Sequence, residues 1–391
     1  MSLMDEYLKK PPSELENELI SLIEKYNKIR GRYLFVYAAS MEKPIPGSQM
    51  EQSDYYLFHD YLSCKDGVDK VDIYMETPGG SGETAEEIGN FLHKNFKTVS
   101  FVVSGEAKSA GTILALSGDE ILMTDTGSLG PIDAQIIIGR ARQSAHDYIE
   151  WVSEKRKEAR EKGELNPFDA TMIAQITPGE LGGVLHSLRF AEDLVEDWLV
   201  RYKFKNWTVT ETRGAPVTEE LKKERASEIA RQLTNHSRWR SHGRSIKIDD
   251  LSDLGLRVTR IDKDPALADV VYRIHTVCRF LFHSTHIFKI FATQDNKIFR
   301  HATPIEKPEQ TPSHNNLGVV EINDKCPKCK KKYRIYGKLI NDPKIDKDYQ
   351  GRGFIPFPKD AILICECGHR IDLTETKEHI KQKTQRELII D

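Results

Sequence analysis

Apolar positions over the first 140 residues switch between two periods. Leu15, Leu19, Leu22, Ile23 and Tyr26 recur at helical spacing and predict an amphipathic helix over Ser13–Ile29. Ser13, followed three residues later by Glu16, has the form of a capping box at its start. Arg32–Ala39 reads as a strand, and Asp54–Leu62 as a helix carrying Tyr55, Leu57, Phe58 and Tyr61. Val71–Glu76 alternates at period two. Ser81–Lys94 returns to helical spacing through Ala85, Ile88, Phe91 and Leu92, and Thr98–Val103 is rich in β-branched residues. Ala110–Ser117 is a short apolar helix and Glu120–Thr124 a further strand. Strands alternating with helices predict an α/β fold with a parallel sheet and helices on its faces.

From about Ala141 the pattern becomes helical and charged. Helices are predicted over Gln143–Lys162, Leu181–Tyr202, Glu219–Leu233 and Pro265–Phe282. His286–Phe291 and Lys297–Arg300 read as a hairpin around Gln294, Asp295 and Asn296. The stretch Ile305–Asn316, with Pro308, Pro312 and Ser313, reads as a linker. The expected division is an N-terminal helix over 1–30 and a main domain over 31–304, with its sheet core in 31–140 and a helical part in 141–304. The linker is 305–316, and a small module follows over 317–391.

Composition narrows the classes. In 391 residues, 57 Lys+Arg stand against 60 Asp+Glu, a net of −3, which implies neither a nucleic-acid coat nor an acidic tail. No apolar run approaches the ~18 residues that would span a bilayer, and the first residues lack a signal-peptide core. The expectation is a cytoplasmic protein without a membrane partner. Four of six cysteines cluster near the C-terminus, while Cys64 and Cys278 stand alone, as reduced thiols do.

The chemistry concentrates between Val71 and Gln135. Thr77-Pro78-Gly79-Gly80-Ser81-Gly82 follows one strand, and Ser109-Ala110-Gly111-Thr112 opens a helix after another. Hydrolysis of an amide or ester needs a nucleophile, a proton acceptor and donors for the developing oxyanion. Ser109 can supply the first, the Ala110 N–H at a helix N-terminus one donor, and the Gly79–Gly80 turn the other through Gly80. Ala107 holds the first glycine position of a Gly-x-Ser-x-Gly elbow, so the motif is incomplete. By itself a Gly-Gly turn could equally cradle a phosphate or merely link two elements.

Together with Gly127-Ser128-Leu129-Gly130-Pro131-Ile132-Asp133, these segments resemble the Clp-type peptidase and signal-peptide-peptidase (SppA) superfamily. More narrowly the chain resembles its "serine dehydrogenase proteinase" (SDH-type) group, a match extended by Trp198–Trp207, Trp239–Ile246, Ile274-His275 and Phe288–Ile290. The resemblance covers roughly residues 30 to 300. It implies a ClpP/crotonase-like spiral of ββα units with helical additions, a homo-oligomeric assembly, and a serine peptidase acting on peptides or proteins. By position it gives Ser109 the nucleophile's role and Gly80 and Ala110 those of oxyanion donors. No cofactor is expected for this reaction. The alternatives are a non-catalytic peptide- or protein-binding module on the same fold and an acyl-CoA enzyme of crotonase type.

The base departs from the Clp pattern, because Asp133 stands where the resemblance places a histidine. A carboxylate is a weak base toward a hydroxyl unless burial raises its pKa. SppA-like members use a downstream lysine, and Lys155, Lys157 and Lys162 fall in or near that interval. Lys157 is the favoured base, a role that requires desolvation. On a charged helix it would equally pass for a solvated surface lysine. His242, in Ser241-His242-Gly243-Arg244, is the second candidate. His186, His275, His283 and His286 sit in helix or strand patterns and read as structural.

Cys326-Pro327-Lys328-Cys329 and Cys365-Glu366-Cys367-Gly368-His369 form two cysteine pairs separated by strand-like segments. They resemble a zinc ribbon, in which four thiolates would hold a structural zinc. The second pair is short by one residue, which makes His369 an alternative to Cys367 as a ligand. From Glu321 to Asp391, 16 Lys+Arg against 12 Asp+Glu give +4. That is too mild to argue for nucleic acid, and the ribbon is expected to stabilise a small domain or dock a partner.

Overall fold

The computed structural model describes residues 3–43, 45–63, 65, 67–132, 135–138, 141–210, 214–241, 243–302, 318–384 and 386–390. The chain forms two compact units, Met1–Thr303 and Pro304–Asp391. The expected linker 305–316, Asp133, His242 and Cys64 lie outside the described residues.

The first unit is mixed α/β. Its strands are β1 (Tyr33–Ala39), β2 (Lys70–Glu76), β3 (Thr98–Val103), β4 (Glu106–Ala107), β5 (Glu120–Met123) and β6 (Ser128–Leu129), followed by β7 (Gln135–Ile138), β8 (Ala141–Ser144), β9 (Thr259–Arg260), β10 (Ile287–Ala292) and β11 (Lys297–His301). A seven-stranded sheet runs in the order β11-β10-β1-β2-β3-β5-β9. From β1 to β9 neighbours are parallel, and the β10–β11 hairpin adds an antiparallel edge. β1 is buried along its whole length and β2 in all but its first residue, as expected of parallel strands covered on both faces.

Each face has its own core. Phe35, Tyr37, Ile73, Met75, Phe101 and Val103 pack with apolar side chains of the helices Gln52–Leu62, Gly82–Asn95, Ala110–Leu116 and Pro178–Trp198. On the other face Leu34, Val36, Ala38 and Tyr74 join the helices Pro12–Arg30 and Pro265–Ser284. The N-terminal helix thus belongs to the first unit, burying the predicted stripe Leu15, Leu19, Leu22, Ile23 and Tyr26. Its capping box does not form. The helix begins at Pro12, whose fixed φ suits a first turn, and no side chain caps it, so Ser13 lies inside rather than before the helix. Buried Asp72 accepts hydrogen bonds from Tyr26 Oη at 2.7 Å and Arg32 at 3.1 Å, which ties this helix and β1 to β2.

The long helix predicted to reach Tyr202 ends at Trp198 and continues as a π-helical turn over Leu199–Lys203. In the second unit β12 (Val319–Lys325), β13 (Lys332–Lys338) and β14 (Ile355–Pro356) form one small sheet, and β15 (Ile362–Ile364) with β16 (Arg370–Asp372) another. Among the described residues no helix is long and apolar enough to cross a membrane.

Candidate functional site

The segment after β3 is shaped by pairing on two sides. β4 runs parallel to β6, and Ala107 bridges Thr77 just past the end of β2. Thr77 N–H donates to Glu106 O at 2.8 Å, and Lys108 N–H to Thr77 O at 3.0 Å. The chain must then turn at once into Ala110–Leu116, a helix whose every residue is buried. Ser109 absorbs that turn with φ 49° and ψ −115°, a left-handed conformation that costs a non-glycine residue about 1–3 kcal/mol. It stands at the helix N-cap, yet its side chain makes no capping bond.

The glycine pair faces this turn. A Cβ on Gly79 would lie 2.7 Å from Ser109 Cβ, and one on Gly80 would lie 2.3 Å from Met50 O. Both have positive φ, so the residue type is required twice over. Met50 holds the pair from outside: its N–H donates to Gly79 O at 2.7 Å, and its carbonyl accepts from Ser81 N–H at 3.0 Å. Among the described residues the N–H groups of Gly80 and Ala110 have no acceptor. The structure thus brings Gly79, Gly80, Ser109 and Ala110 together.

Two buried lysines support the turn, and neither was singled out in the sequence. Lys289 and Asp54, both with no side-chain exposure, pair at 2.8 Å. Lys289 Nζ also donates to Gln49 O at 2.8 Å, one residue before Met50, and Tyr37 Oη donates to Asp54 at 2.9 Å. Lys108, next to Ser109, is buried beneath Gly130; its ammonium lies 3.0 Å from Ser245 Oγ and 3.3 Å from Arg244 O. Burial pushes its pKa below the ordinary lysine value. A lysine between a strand and a helix of small residues is the one sequence signal that could have marked it.

The expected lysine base finds no such burial. Lys157 projects from the helix Ala145–Lys162 with 77% of its side chain exposed, 3.9 Å from Glu161. The desolvation expected at 157 is not what the structure shows. Lys155 is paired with Asp169 and Glu158, hydrogen bonds that raise rather than lower its pKa, and Lys162 with Glu158. His242 lies outside the described residues, but three described residues that follow it are anchored at the site. Arg244 and Ser245 contact Lys108, and Ile246 pairs with Leu129. His275 is held at 3.0 Å from Glu76 and 3.1 Å from Tyr74 Oη, beneath Gly105.

In the second unit Cys326, Cys329, Cys365 and Cys367 bring their sulfurs within 4.8 Å of one another, a group able to bind a metal ion. Two tight turns place them: Cys326 N–H donates to Lys331 O, with Lys330 at φ 62°, and Cys365 N–H to His369 O, with Gly368 at φ 81°. The one-residue shorter second turn still carries Cys367 into the group, and the His369 ring is not part of it. The Tyr333 hydroxyl, 3.1 Å from Cys365 Sγ, draws that thiol down to about 6, toward the thiolate a metal needs.

Fold and turn together define the class: a mixed α/β protein with a serine on a strained strand-to-helix elbow opposite a glycine pair. Residues 62–178, which contain both, match the family model of the NfeD1b N-terminal domain. Two uncharacterized proteins of Methanocaldococcus jannaschii, MJ1495 and MJ0137, are 24% identical over 188 residues and 25% identical over 205 residues. The alignments cover 48% and 52% of this chain and 51% and 57% of theirs, so the chain spans about half the length of the curated relatives it matches. Among solved structures, the chain is similar to a serine-to-alanine mutant of the 1510-N membrane-bound stomatin-specific protease, with 21% identity, a TM-score of 0.24, and coverage of 30% of this chain and 61% of that one. It is also similar to a lysine-to-alanine mutant of that protease in complex with a substrate peptide, with 15% identity, a TM-score of 0.33, and coverage of 56% and 74%.

Proposed function

We propose that this chain is a serine peptidase with the ClpP/crotonase-like fold of the ClpP/SppA superfamily, acting as a homo-oligomer on peptide or protein substrates. The observation that carries the reading is the left-handed Ser109, facing Gly79 across a contact that excludes any larger residue. Ser109 Oγ attacks the scissile carbonyl and gives up its proton to a base. The resulting oxyanion accepts hydrogen bonds from Gly80 and Ala110, each worth roughly 3 kcal/mol in the barrier. Collapse expels the amine, protonated by the same base, and leaves an acyl-enzyme that water hydrolyses. His242 is the proposed base, supported by the anchoring of its neighbours Arg244 and Ser245 on Lys108. Lys108 would position those neighbours.

The C-terminal unit is proposed as a zinc-ribbon module. A tetrahedral zinc with bonds of about 2.3 Å sets its sulfurs roughly 3.8 Å apart, and the Cys326–Cys367 and Cys329–Cys365 separations are 3.7 and 3.4 Å. Such an ion would be structural and take no part in peptide hydrolysis.

A fluorophosphonate probe tests the peptidase reading. It should label the wild-type chain and Lys157→Ala, but neither Ser109→Ala nor His242→Ala. Labelling that survives Ser109→Ala, or none anywhere between about pH 6 and 9, returns the chain to the alternative, a binding module.

A further inference from the structure

The net charge of +4 over the C-terminal segment conceals how unevenly that charge is distributed. The helix Pro343–Gly351 covers one end of the β12–β13 sheet, where Tyr336 stacks on Tyr349 and Lys338 pairs with Asp346. At the other end the same face is open and basic. The register sets Lys325 directly opposite Lys332, and Asn323 opposite Arg334, all four exposed. Like charges facing each other across an antiparallel pair destabilise it, so folding gives no reason for this arrangement. Lys328 and Lys330 extend the charge over the adjoining cysteine turn, where Lys330 adopts a left-handed conformation that glycine would take without strain. Lys325, Lys328, Lys330 and Lys332 have no acidic partner among the described residues. The nearby Glu321 is engaged by Arg352 at 3.3 Å.

Two guanidinium groups complete the surface. Arg334 lies over the Phe354 ring, 4.0 Å from its centroid, and Arg352 lies over Tyr349 at 4.7 Å. Both rings are buried and both arginines exposed. A planar cation backed by an aromatic ring offers its outer face as a stacking platform for a nucleobase. An acidic peptide or an anionic membrane would use the same cations but leave the stacking faces of the two guanidinium groups unused.

We propose that this open face of the C-terminal unit binds single-stranded nucleic acid, with the lysines on phosphates and Arg334 and Arg352 under unstacked bases. The proposal is independent of the Ser109 chemistry.

Fluorescence anisotropy of a labelled 20-nucleotide oligouridylate with the full chain is the test, with Ser109→Ala expected to bind as wild type does. About four phosphate contacts on a single strand give a salt slope near −3, so raising NaCl from 50 to 200 mM should weaken binding roughly 50-fold. Lys325→Gln with Lys332→Gln should make the slope shallower by about 1.4. Arg334→Lys keeps the charge and should keep the slope, while affinity falls about 5-fold or more through lost stacking. All three positions are exposed, and unchanged metal content and circular dichroism would show the variants folded. The proposal is overturned by absent binding at 50 mM NaCl, by variants that bind as wild type does, or by equal affinity for a duplex of the same length. Equally effective competition from polyglutamate or phosphatidylserine vesicles would also overturn it, by assigning the face to an acidic partner or a membrane.

Discussion

The elbow of the first unit and the cysteine turns of the second solve the same problem by different means. Each must hold a reactive side chain beside a residue at positive φ. At the elbow, a buried helix, a parallel strand pair and the Met50 clamp determine the backbone with no help from a ligand. Around the cysteines the apolar cluster is small, and Cys326 and Cys365 are themselves members of it. On the proposed zinc reading, a core that counts the metal's ligands among its members would depend on the metal, whereas the elbow depends on the sheet. The proposal therefore sets pre-organised geometry in one unit against ligand-dependent geometry in the other.

The largest expected effect separates the two directly. Structural zinc contributes apparent folding free energies of about 10–16 kcal/mol in small zinc modules. Cys326→Ser, or a strong chelator, should strip the metal and expose 318–390 to proteolysis while 3–302 stays protected in hydrogen exchange. Full protection of the C-terminal unit without metal would put its stability in the apolar cluster instead. Next in size is the support beneath the elbow. Lys289→Met takes the buried ammonium from Asp54 and leaves Arg300, 3.1 Å away, as its remaining cation, so the first unit should lose up to about 3 kcal/mol in urea denaturation. A loss under about 1 kcal/mol would mean the pair behaves like a surface bridge.

The smallest effect concerns an element held by neither device. Lys162 and Lys155 hydrogen-bond the Glu158 carboxyl and hold it down at about 2, against an ordinary 4.5. Because the folded value is depressed, its contribution to stability is present above the unfolded value and is lost as pH falls from about 4.5 toward 2. Hydrogen exchange of Ala145–Lys162 should accelerate through that window, and Glu158→Gln should flatten the response. An identical pH profile in that variant would assign the acid sensitivity to other carboxylates.

Local patterns were legible wherever the apolar positions of the sequence recurred at one period, even where, as in Val71–Glu76, the strand is buried on both faces. The alternation of Val71–Glu76 and the stripe of Leu15, Leu19, Leu22, Ile23 and Tyr26 each found its expected element. Ser109 could be picked out because its neighbours Ala110 and Gly111 are small enough for a buried helix start. The supports were not legible, because they are assembled from distant positions. Lys289 and Asp54 are 235 residues apart, and Lys108 and Ser245 are 137 apart. A lysine in a strand pattern carries no mark of the carboxylate that will neutralise it. The exposure of Lys157 was equally unreadable, since a charged helix looks the same whether its lysines face a cleft or water. The basic face shows the reverse case: Lys325 and Lys332 are ordinary until the register sets them opposite each other.

The left-handed Ser109 also makes the site measurable in a second currency. A glycine there would relax the backbone and lose the hydroxyl, so the fold should gain up to about 1–3 kcal/mol while any chemistry of that hydroxyl ends. Stability and reactivity are thus set against each other at a single residue. A descendant of this chain released from selection on its reaction would be expected to drift first at this position, toward a firmer and silent protein.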